Sequence, residues 1–415
     1  MTDSWLVLDV DDTIVDTHST GFAKCQEVAR LLGLKPLHQS AFDAVYGSKT
    51  FDECVQHWYP TVNVGRYGAI YERLADQYPP VPLGSVVSAL NRVARAGLRI
   101  GVLTNGTEQK TVSKLAALGL KTSDFEFVVY ESLQPTPKPS PLAFNHMAES
   151  YGVDPKRSWY VSDSPADWNG AATAGFGVVG IVRWKRRRRG PTQVPQLMLP
   201  DLSAAIGCEE VLKSDIPHIS PSERIHAVTI DAGFTLLDHL KPPAVTAPLD
   251  FPIPAAEIWT SDAAIKMGLS DYYRALAPSW TEEVISSHIA DYVSHINWRA
   301  RPGAVEFLRR LHSARLRVGV LSNWQTTLAV LLSEVGLDGF DAVIPSALLG
   351  FAKPDPRAFL AAVNKLDVKP SSIVHVGDDP VRDAAGAIAS GCRAFVVQDQ
   401  LTSPIVQAGL MVLTR

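Results

Sequence analysis

Trp5-Leu6-Val7-Leu8-Asp9-Val10-Asp11-Asp12-Thr13 is the stretch on which the fold turns. Four apolar residues closed by polar ones read as a short buried strand. The strand delivers two carboxylates two residues apart, with a hydroxyl two further on. In an open α/β sheet ligands bind beyond the carboxyl ends of the strands, so an anionic nucleophile and a proton carrier stand at one sheet edge. Asp-rich strand ends also bind calcium or simply start turns, and the rest of the chain has to decide between these readings.

The pattern returns in the second half of the chain. Asp231-Ala232-Gly233-Phe234-Thr235 follows the apolar run from Ile225 to Ile230. Ile100-Gly101-Val102-Leu103-Thr104-Asn105 matches Val318-Gly319-Val320-Leu321-Ser322-Asn323, and Lys138-Pro139-Ser140-Pro141 matches Lys353-Pro354-Asp355-Pro356. Val161-Ser162-Asp163-Ser164-Pro165 matches Val376-Gly377-Asp378-Asp379-Pro380. The offsets are 222, 218, 215 and 215 residues, so one fold occurs twice with small deletions in the second copy. The first domain is expected over 1–213 and the second over 224–415, with the Pro- and Ser-containing stretch 214–222 as linker.

In each copy, strands that are apolar throughout alternate with helical patterns. That argues a parallel sheet covered on both faces, a Rossmann-like doubly wound α/β domain. The expected strands are 98–104, 127–130, 158–163 and 175–182, then 316–322, 341–344, 373–377 and 393–397. Between the first and second motif of each copy lies a segment of helical spacing, about 17–86 and about 240–300. Each is too long for an unstructured loop, which predicts a helical cap over the nucleophile. Trp58, Tyr67, Tyr71, Trp259, Tyr272 and Tyr273 read as cap core.

The 415 residues suffice for two domains with their own cores. A 46% hydrophobic, 20% charged composition with net charge −4 gives no electrostatic bias toward nucleic acid. Cys25, Cys54, Cys208 and Cys392 have no ligand or disulfide spacing, and no run reaches bilayer length or has the pattern of a signal peptide. A cytoplasmic protein without membrane or nucleic-acid partners is expected. The charge run 183–190 (Arg-Trp-Lys-Arg-Arg-Arg-Arg-Gly) reads as a solvated loop or as a contact for an anionic substrate or partner.

The strand-end residues suit attack on phosphorus. An aspartate nucleophile must be shielded from its own charge and the phosphate's by a divalent cation, a lysine and N–H donors. Asp9 is the candidate nucleophile, forming an aspartyl-phosphate. Asp11 is the candidate proton donor to the leaving oxygen and base toward water. Asp163, with Asp9 and the Asp11 carbonyl, completes a hard oxygen site for Mg2+, and Asp167 holds a metal-bound water or positions Asp163. Thr104 and the Asn105 N–H can donate to phosphate oxygens, and Lys138 can neutralise both partners.

Taken together, these motifs resemble two haloacid dehalogenase superfamily domains in tandem. The pattern is carried by Asp9/Asp11/Thr13, Thr104, Lys138 and Asp163/Asp167, with Ser162 where the family usually has glycine. The resemblance implies a Rossmann-like core with a cap inserted after the first strand, and Mg2+-dependent hydrolysis of a small phosphomonoester. The second copy resembles the family at Asp231, Ser322, Asn323, Lys353, Asp378 and Asp383, yet Gly233 stands where the acid would be. Removing that acid removes roughly 10²–10⁴-fold in rate. Three readings stay open for the second copy: a domain that keeps phosphate and magnesium binding without turnover, a phosphatase with its acid elsewhere, and dehalogenase- or phosphonatase-like chemistry. For the last, Lys241 and Lys266 are the cap lysines, alternatively plain surface residues. The whole chain is accordingly read as a phosphatase, with a phosphometabolite-binding scaffold or a phosphomutase as alternatives. Tyr46-Gly47-Ser48-Lys49 is the cap segment expected to meet the leaving group.

Overall fold

A computed structural model of the chain describes residues 4–47, 50–182, 194–213, 216, 219, 223–239, 269–294 and 298–414. The chain divides into two compact units, Met1–Gln193 with Asp201–Pro221, and Val194–Pro200 with Ser222–Arg415. The segment Val194–Pro200, expected in the first domain, thus groups with the second. The charge run 183–190, Trp259, Lys241, Lys266, Ser48, Lys49 and most of the linker lie outside the described residues.

In the first unit β1 (Trp5–Leu8), β2 (Arg99–Leu103), β3 (Phe127–Val129), β4 (Trp159–Ser162) and β5 (Gly177–Ile181) form a parallel array in the order β5-β4-β1-β2-β3. The chain starts at the centre, builds outward through β2 and β3, then returns to the other side of β1 for β4 and β5. The winding therefore reverses between β1 and β4, and a crevice opens at such a switch point beyond the strand ends. The register Leu8↔Val161 brings Asp9 and Asp163 to that crevice. All four β1 residues are buried, as strands covered on both faces must be.

The second unit repeats this plan. After β6 (Leu197–Leu199) come β7 (Ala227–Ile230), the hairpin β8 (Leu237–His239) and β9 (Trp298–Ala300), then β10 (Arg317–Ser322), β11 (Ala342–Pro345), β12 (Ile373–Gly377) and β13 (Arg393–Val396). The parallel order is β11-β10-β7-β12-β13-β6, so its switch point lies between β7 and β12, which end in Asp231 and Asp378.

The first cap is helical, as expected. It comprises α1 (Thr17–Leu31), α2 (Gln39–Val45), α3 (Phe51–Trp58) and α4 (Val64–Arg73). Asp16 caps α1 by accepting from Ser19 N, and Thr50 with Glu53 forms a capping box on α3. Cys25, Val28, Leu37, Phe42, Val55, Tyr67, Ile70 and Leu74 form the cap's own core, with Trp58 and Tyr71 packed against it. The chain is back on the sheet side by Pro82, which bridges Val15. In the second unit β8 and β9 pair antiparallel as the stem of the insertion, whose described part holds helices Leu269–Leu276 and Glu282–Ser294. There Tyr272 and Tyr273 are buried. All four cysteines are buried thiols. No helix among the described residues is long and apolar enough to cross a membrane.

Candidate active site

Asp9 follows β1 and is pinned from both directions: its N–H donates to Val161 O (2.9 Å), and its Oδ1 accepts from Val10 N (2.8 Å). The chain then folds back, with Thr13, Ile14 and Val15 N–H all directed at Val10 O. Asp12 takes the left-handed conformation (φ 56°) that the fold-back requires. This leaves Asp11 beside Asp9, and Thr13 Oγ1 accepting from Asp163 N (3.1 Å).

Lys138 is the hub of the first site. Its ammonium, 2% exposed, lies 2.9 Å from Asp9 Oδ1 and 3.1 Å from Asp167 Oδ2, and donates to Tyr160 Oη at 2.6 Å. Burial pushes the Asp9 carboxyl up against the pull of Lys138, and Asp167 adds to the push. Burial alone would depress the ammonium, but Asp167 and Asp9 outweigh it and hold Lys138 above its ordinary range. The loop carrying Lys138 is clamped by the Asn105 side chain, which donates to Lys138 O (2.9 Å) and accepts from Lys138 N (3.0 Å). Thr104 is buried at the end of β2, its Oγ1 accepting from Gly106 N (3.1 Å).

Two partnerships were not anticipated. Asp11 Oδ1 is held at 2.5 Å by Lys114 Nζ from helix α5 (Glu108–Ala117). Asp167, expected to hold a metal-bound water or to position Asp163, lies 3.1 Å from Lys138 Nζ and accepts from Ser162 Oγ (3.4 Å). Of the expected leaving-group segment, Tyr46 stacks on Phe42 with ring centroids 4.3 Å apart, and its hydroxyl donates to Thr17 O (3.4 Å).

The second unit rebuilds the same hub. Lys353 Nζ lies 2.7 Å from Asp231 Oδ1 and 2.5 Å from Asp383 Oδ1. Asn323 clamps Lys353 N and O at 2.8 and 2.9 Å. In place of Tyr160 stands His375, bonded to Thr229 Oγ1 (2.9 Å) through Nδ1 and to Asp383 (3.1 Å) through Nε2. Burial, and then Lys353, lower His375 below its ordinary value. Asp383 is buried, yet Lys353 and the His375 hydrogen bond hold it well below the carboxylate range. Asp378 is pushed up to about 6 by burial first, then by Asp231 and Asp383.

Both donor sets fit a hard divalent cation, since they offer carboxylate oxygens and no thiolate. In the first unit Asp9 and Asp163 are buried neighbours across the switch point. In the second, one oxygen from each of Asp231, Asp378 and Asp383 lies within 4.8 Å of the others. Among the described residues that is the acidic cluster of such closeness. Gly377 permits it: a Cβ there would fall 2.2 Å from the Asp383 carboxylate. Ser162 stands at this place in the first unit, its Oγ 3.4 Å from both Asp9 and Asp167.

At the acid position the units part. Gly233 has an ordinary backbone, and among the described residues a Cβ on it would meet only the Trp324 ring, at 3.4 Å. Trp324 is buried and packs edge-on against Trp298, ring centroids 4.8 Å apart. It corresponds to Gly106, whose own added Cβ would lie 3.9 Å from Asp11 Oδ2. The acid's partner changes as well. Leu115 and Leu332 are both buried and precede left-handed Gly119 and Gly336, which places Leu331 where the first unit has Lys114.

Family comparison matches both units. Models described as haloacid dehalogenase-like hydrolase match residues 6–181 and again residues 226–391. The chain belongs to the haloacid dehalogenase-like hydrolases and carries two such domains in tandem. Similar proteins include haloacid dehalogenase-like hydrolase domain-containing protein 3 of Bos taurus, 38% identical over 108 residues (26% of this chain, 43% of that protein). The human protein of that name is 35% identical over 119 residues (28% and 47%). The chain thus spans less than half the length of these relatives. A phosphoglycolate phosphatase of Thiobacillus denitrificans is 32% identical over 191 residues (42% of this chain, 83% of that protein). Among solved structures, CbbY of Rhodobacter sphaeroides in complex with phosphate matches with TM-score 0.42 at 16% identity, covering 49% of this chain and 96% of that one.

Proposed function

We propose that the first unit is a Mg2+-dependent phosphomonoesterase acting on a small phosphorylated metabolite. The observation that carries this reading is the buried Asp9–Lys138–Asp167 hub at the switch point, with Asp11 two residues on and held by Lys114. Asp9 attacks phosphorus, the ester P–O bond breaks, and the departing oxygen takes the proton of Asp11. Water then attacks the aspartyl-phosphate, giving its proton back to Asp11 and freeing Asp9 and inorganic phosphate. Lys138 balances charge on Asp9 as the phosphoryl group transfers, while Thr104 and the Asn105 N–H hold its oxygens. Asp9, Asp163 and the Asp11 carbonyl would hold Mg2+, which screens nucleophile from phosphate.

The second unit is read as a phosphate- and metal-binding domain without turnover, because Gly233 offers no proton and Trp324 stands beside it. The buried thiols suit the reducing cytoplasm. The deciding test is phosphate release by the whole chain over sugar phosphates, nucleotides, phosphoglycolate and acyl phosphates, with magnesium and with EDTA. Release that needs magnesium and vanishes in Asp9→Asn supports the reading. A product isomer in place of free phosphate points to a mutase, and no product at all, with phosphate still bound, to a scaffold.

A further inference from the structure

The mouth of the second site differs from the first in charge, and hydrogen bonding fixes the correspondence. Leu83 N donates to Ile14 O, and Arg301 N donates to Leu236 O, each joining the end of the cap insertion to the turn after the nucleophile. Arg301 therefore stands where the first unit has a buried leucine. Asp12 and Phe234 share the same left-handed turn position (φ 56° and 55°), so an exposed phenyl ring replaces a buried carboxylate. Both exchanges move the mouth toward positive charge.

The guanidinium of Arg301 is fixed in place by main-chain oxygens. It donates to Phe234 O through Nη1 and to Asp399 O (3.5 Å) through Nη2. Among the described residues no carboxylate forms an ion pair with it. A guanidinium carries five donors in a fork that matches carboxylate or phosphate, so donors and full charge remain for a ligand. The side chain lines a cleft of about 390 Å³ with Phe234, Asp238, Asp378, Val397 and Gln398, a volume suited to a small metabolite. Asp378 is the member of the acidic cluster that lines this cleft, so the cleft runs from the edge of the cluster to Arg301.

Charge counting separates the two ends. Asp231, Asp378 and Asp383 against Lys353 leave about two negative charges, which one divalent cation offsets. Asp238, in the same cleft, has Arg299 Nη2 at 3.9 Å, so Arg301 is surplus to that balance. We propose that the second unit binds, without hydrolysing it, a small phosphate ester bearing a second anionic group, with the phosphate at the Lys353 end and the second anion on Arg301. The inference rests on reading the second unit as a phosphate-binding domain lacking its acid.

Calorimetric titration of the full-length Asp9→Asn protein in magnesium tests it, with 2-phosphoglycolate and methyl phosphate as probes. Second-unit binding is identified as the part lost in Asp378→Asn. At that site 2-phosphoglycolate is expected to bind at least about tenfold tighter than methyl phosphate, an extra charge-assisted contact being worth about that factor. Arg301→Leu, the residue of the first unit, is expected to erase the difference while leaving methyl phosphate unaffected, and Arg301→Lys to restore part of it. Equal affinities in the parent protein, or an equal loss for both probes in Arg301→Leu, would overturn the second-anion contact alone. If neither probe shows a part lost in Asp378→Asn, both the contact and the phosphate-binding reading of this unit fall. A glycerol 1,3-bisphosphate arm reports whether phosphate serves on Arg301 as well as carboxylate.

Discussion

The two units share a hub and differ at its rim. Each buries a lysine between two aspartates and clamps the lysine loop with an asparagine side chain at nearly the same distances. In the first unit the position beyond the nucleophile is an aspartate faced by a glycine and paired with a lysine. In the second it is a glycine faced by a tryptophan, with a leucine in the lysine's place. Three exchanges at separated positions thus point the same way: a carboxylate, the space beside it and its lysine partner are all replaced. The buried hub, by contrast, cannot lose one member cheaply, since breaking a buried pair leaves an unpartnered charge and costs about 3–5 kcal/mol. The hub is therefore held in common while the rim differs.

The largest expected effect tests whether the nucleophile resides in the first unit. Asp9→Asn is expected to bring phosphate release to background, at least about 10³-fold down, because an amide neither attacks phosphorus nor holds a cation comparably. The matching Asp231→Asn is expected to remove metal binding by the second unit, read by calorimetry, while phosphate release stays within about twofold. Equal losses from both exchanges would mean that turnover belongs to both units. Next in size, Asp11→Asn is expected to slow turnover by roughly 10²-fold with magnesium affinity preserved, since its side chain is assigned proton transfer. A collapse of magnesium affinity would move Asp11 from proton carrier to ligand.

A smaller effect tests the difference in closeness of the carboxylates. Ser162→Gly removes the side chain standing between Asp9 and Asp167 and reproduces Gly377. Magnesium affinity of the first unit is expected to rise a few-fold as the acidic residues draw together, with ion-binding sites tightening as their charged oxygens converge. Unchanged or weaker affinity would mean that the serine, through its bonds to Asp9 and Asp167, builds the site instead of loosening it.

Much of this was legible in the sequence because it is written in short strings. A buried strand followed by Asp9, a strand ending in Thr104, and a Lys-Pro turn before a helix each declare their local structure, and their recurrence declares the second domain. The helical cap followed from spacing and length. What stayed hidden depends on contacts between distant residues. Lys114 reaches Asp11 across 103 residues, and the short strand Leu197–Leu199 finds its partner in Arg393–Val396, which carries its segment into the second unit. The contact of Asp167 with Lys138 was hidden for the same reason, and the sequence assigned Asn105 its backbone N–H while the side chain clamps the lysine loop. One signal was available: aligning the copies position by position sets Gly106 against Trp324 and Lys114 against Leu331, and paired differences of this kind mark neighbours in space.

The smallest expected effect asks whether the rim alone separates the units. Gly233 needs no glycine conformation, and among the described residues a Cβ there touches only the Trp324 ring at 3.4 Å, so Gly233→Asp fits the backbone. The new carboxylate would nonetheless face an indole that offers no charge, with Leu331 where a lysine would hold it. Gly233→Asp by itself is therefore expected to add no phosphate release in an Asp9→Asn background. Joining it to Trp324→Gly opens the space that Gly106 provides beside Asp11, and adding Leu331→Lys supplies the missing cation. The triple exchange is expected to raise release about tenfold over Gly233→Asp alone, a fraction of what a well-placed acid contributes. Assigning that gain requires that it vanish when Asp231→Asn is added. Folding is checked independently by retention of magnesium binding, so a folded triple variant with no gain would mean that what separates the units lies in the hub, where His375 and Thr229 replace Tyr160 and Val7, and not at its rim.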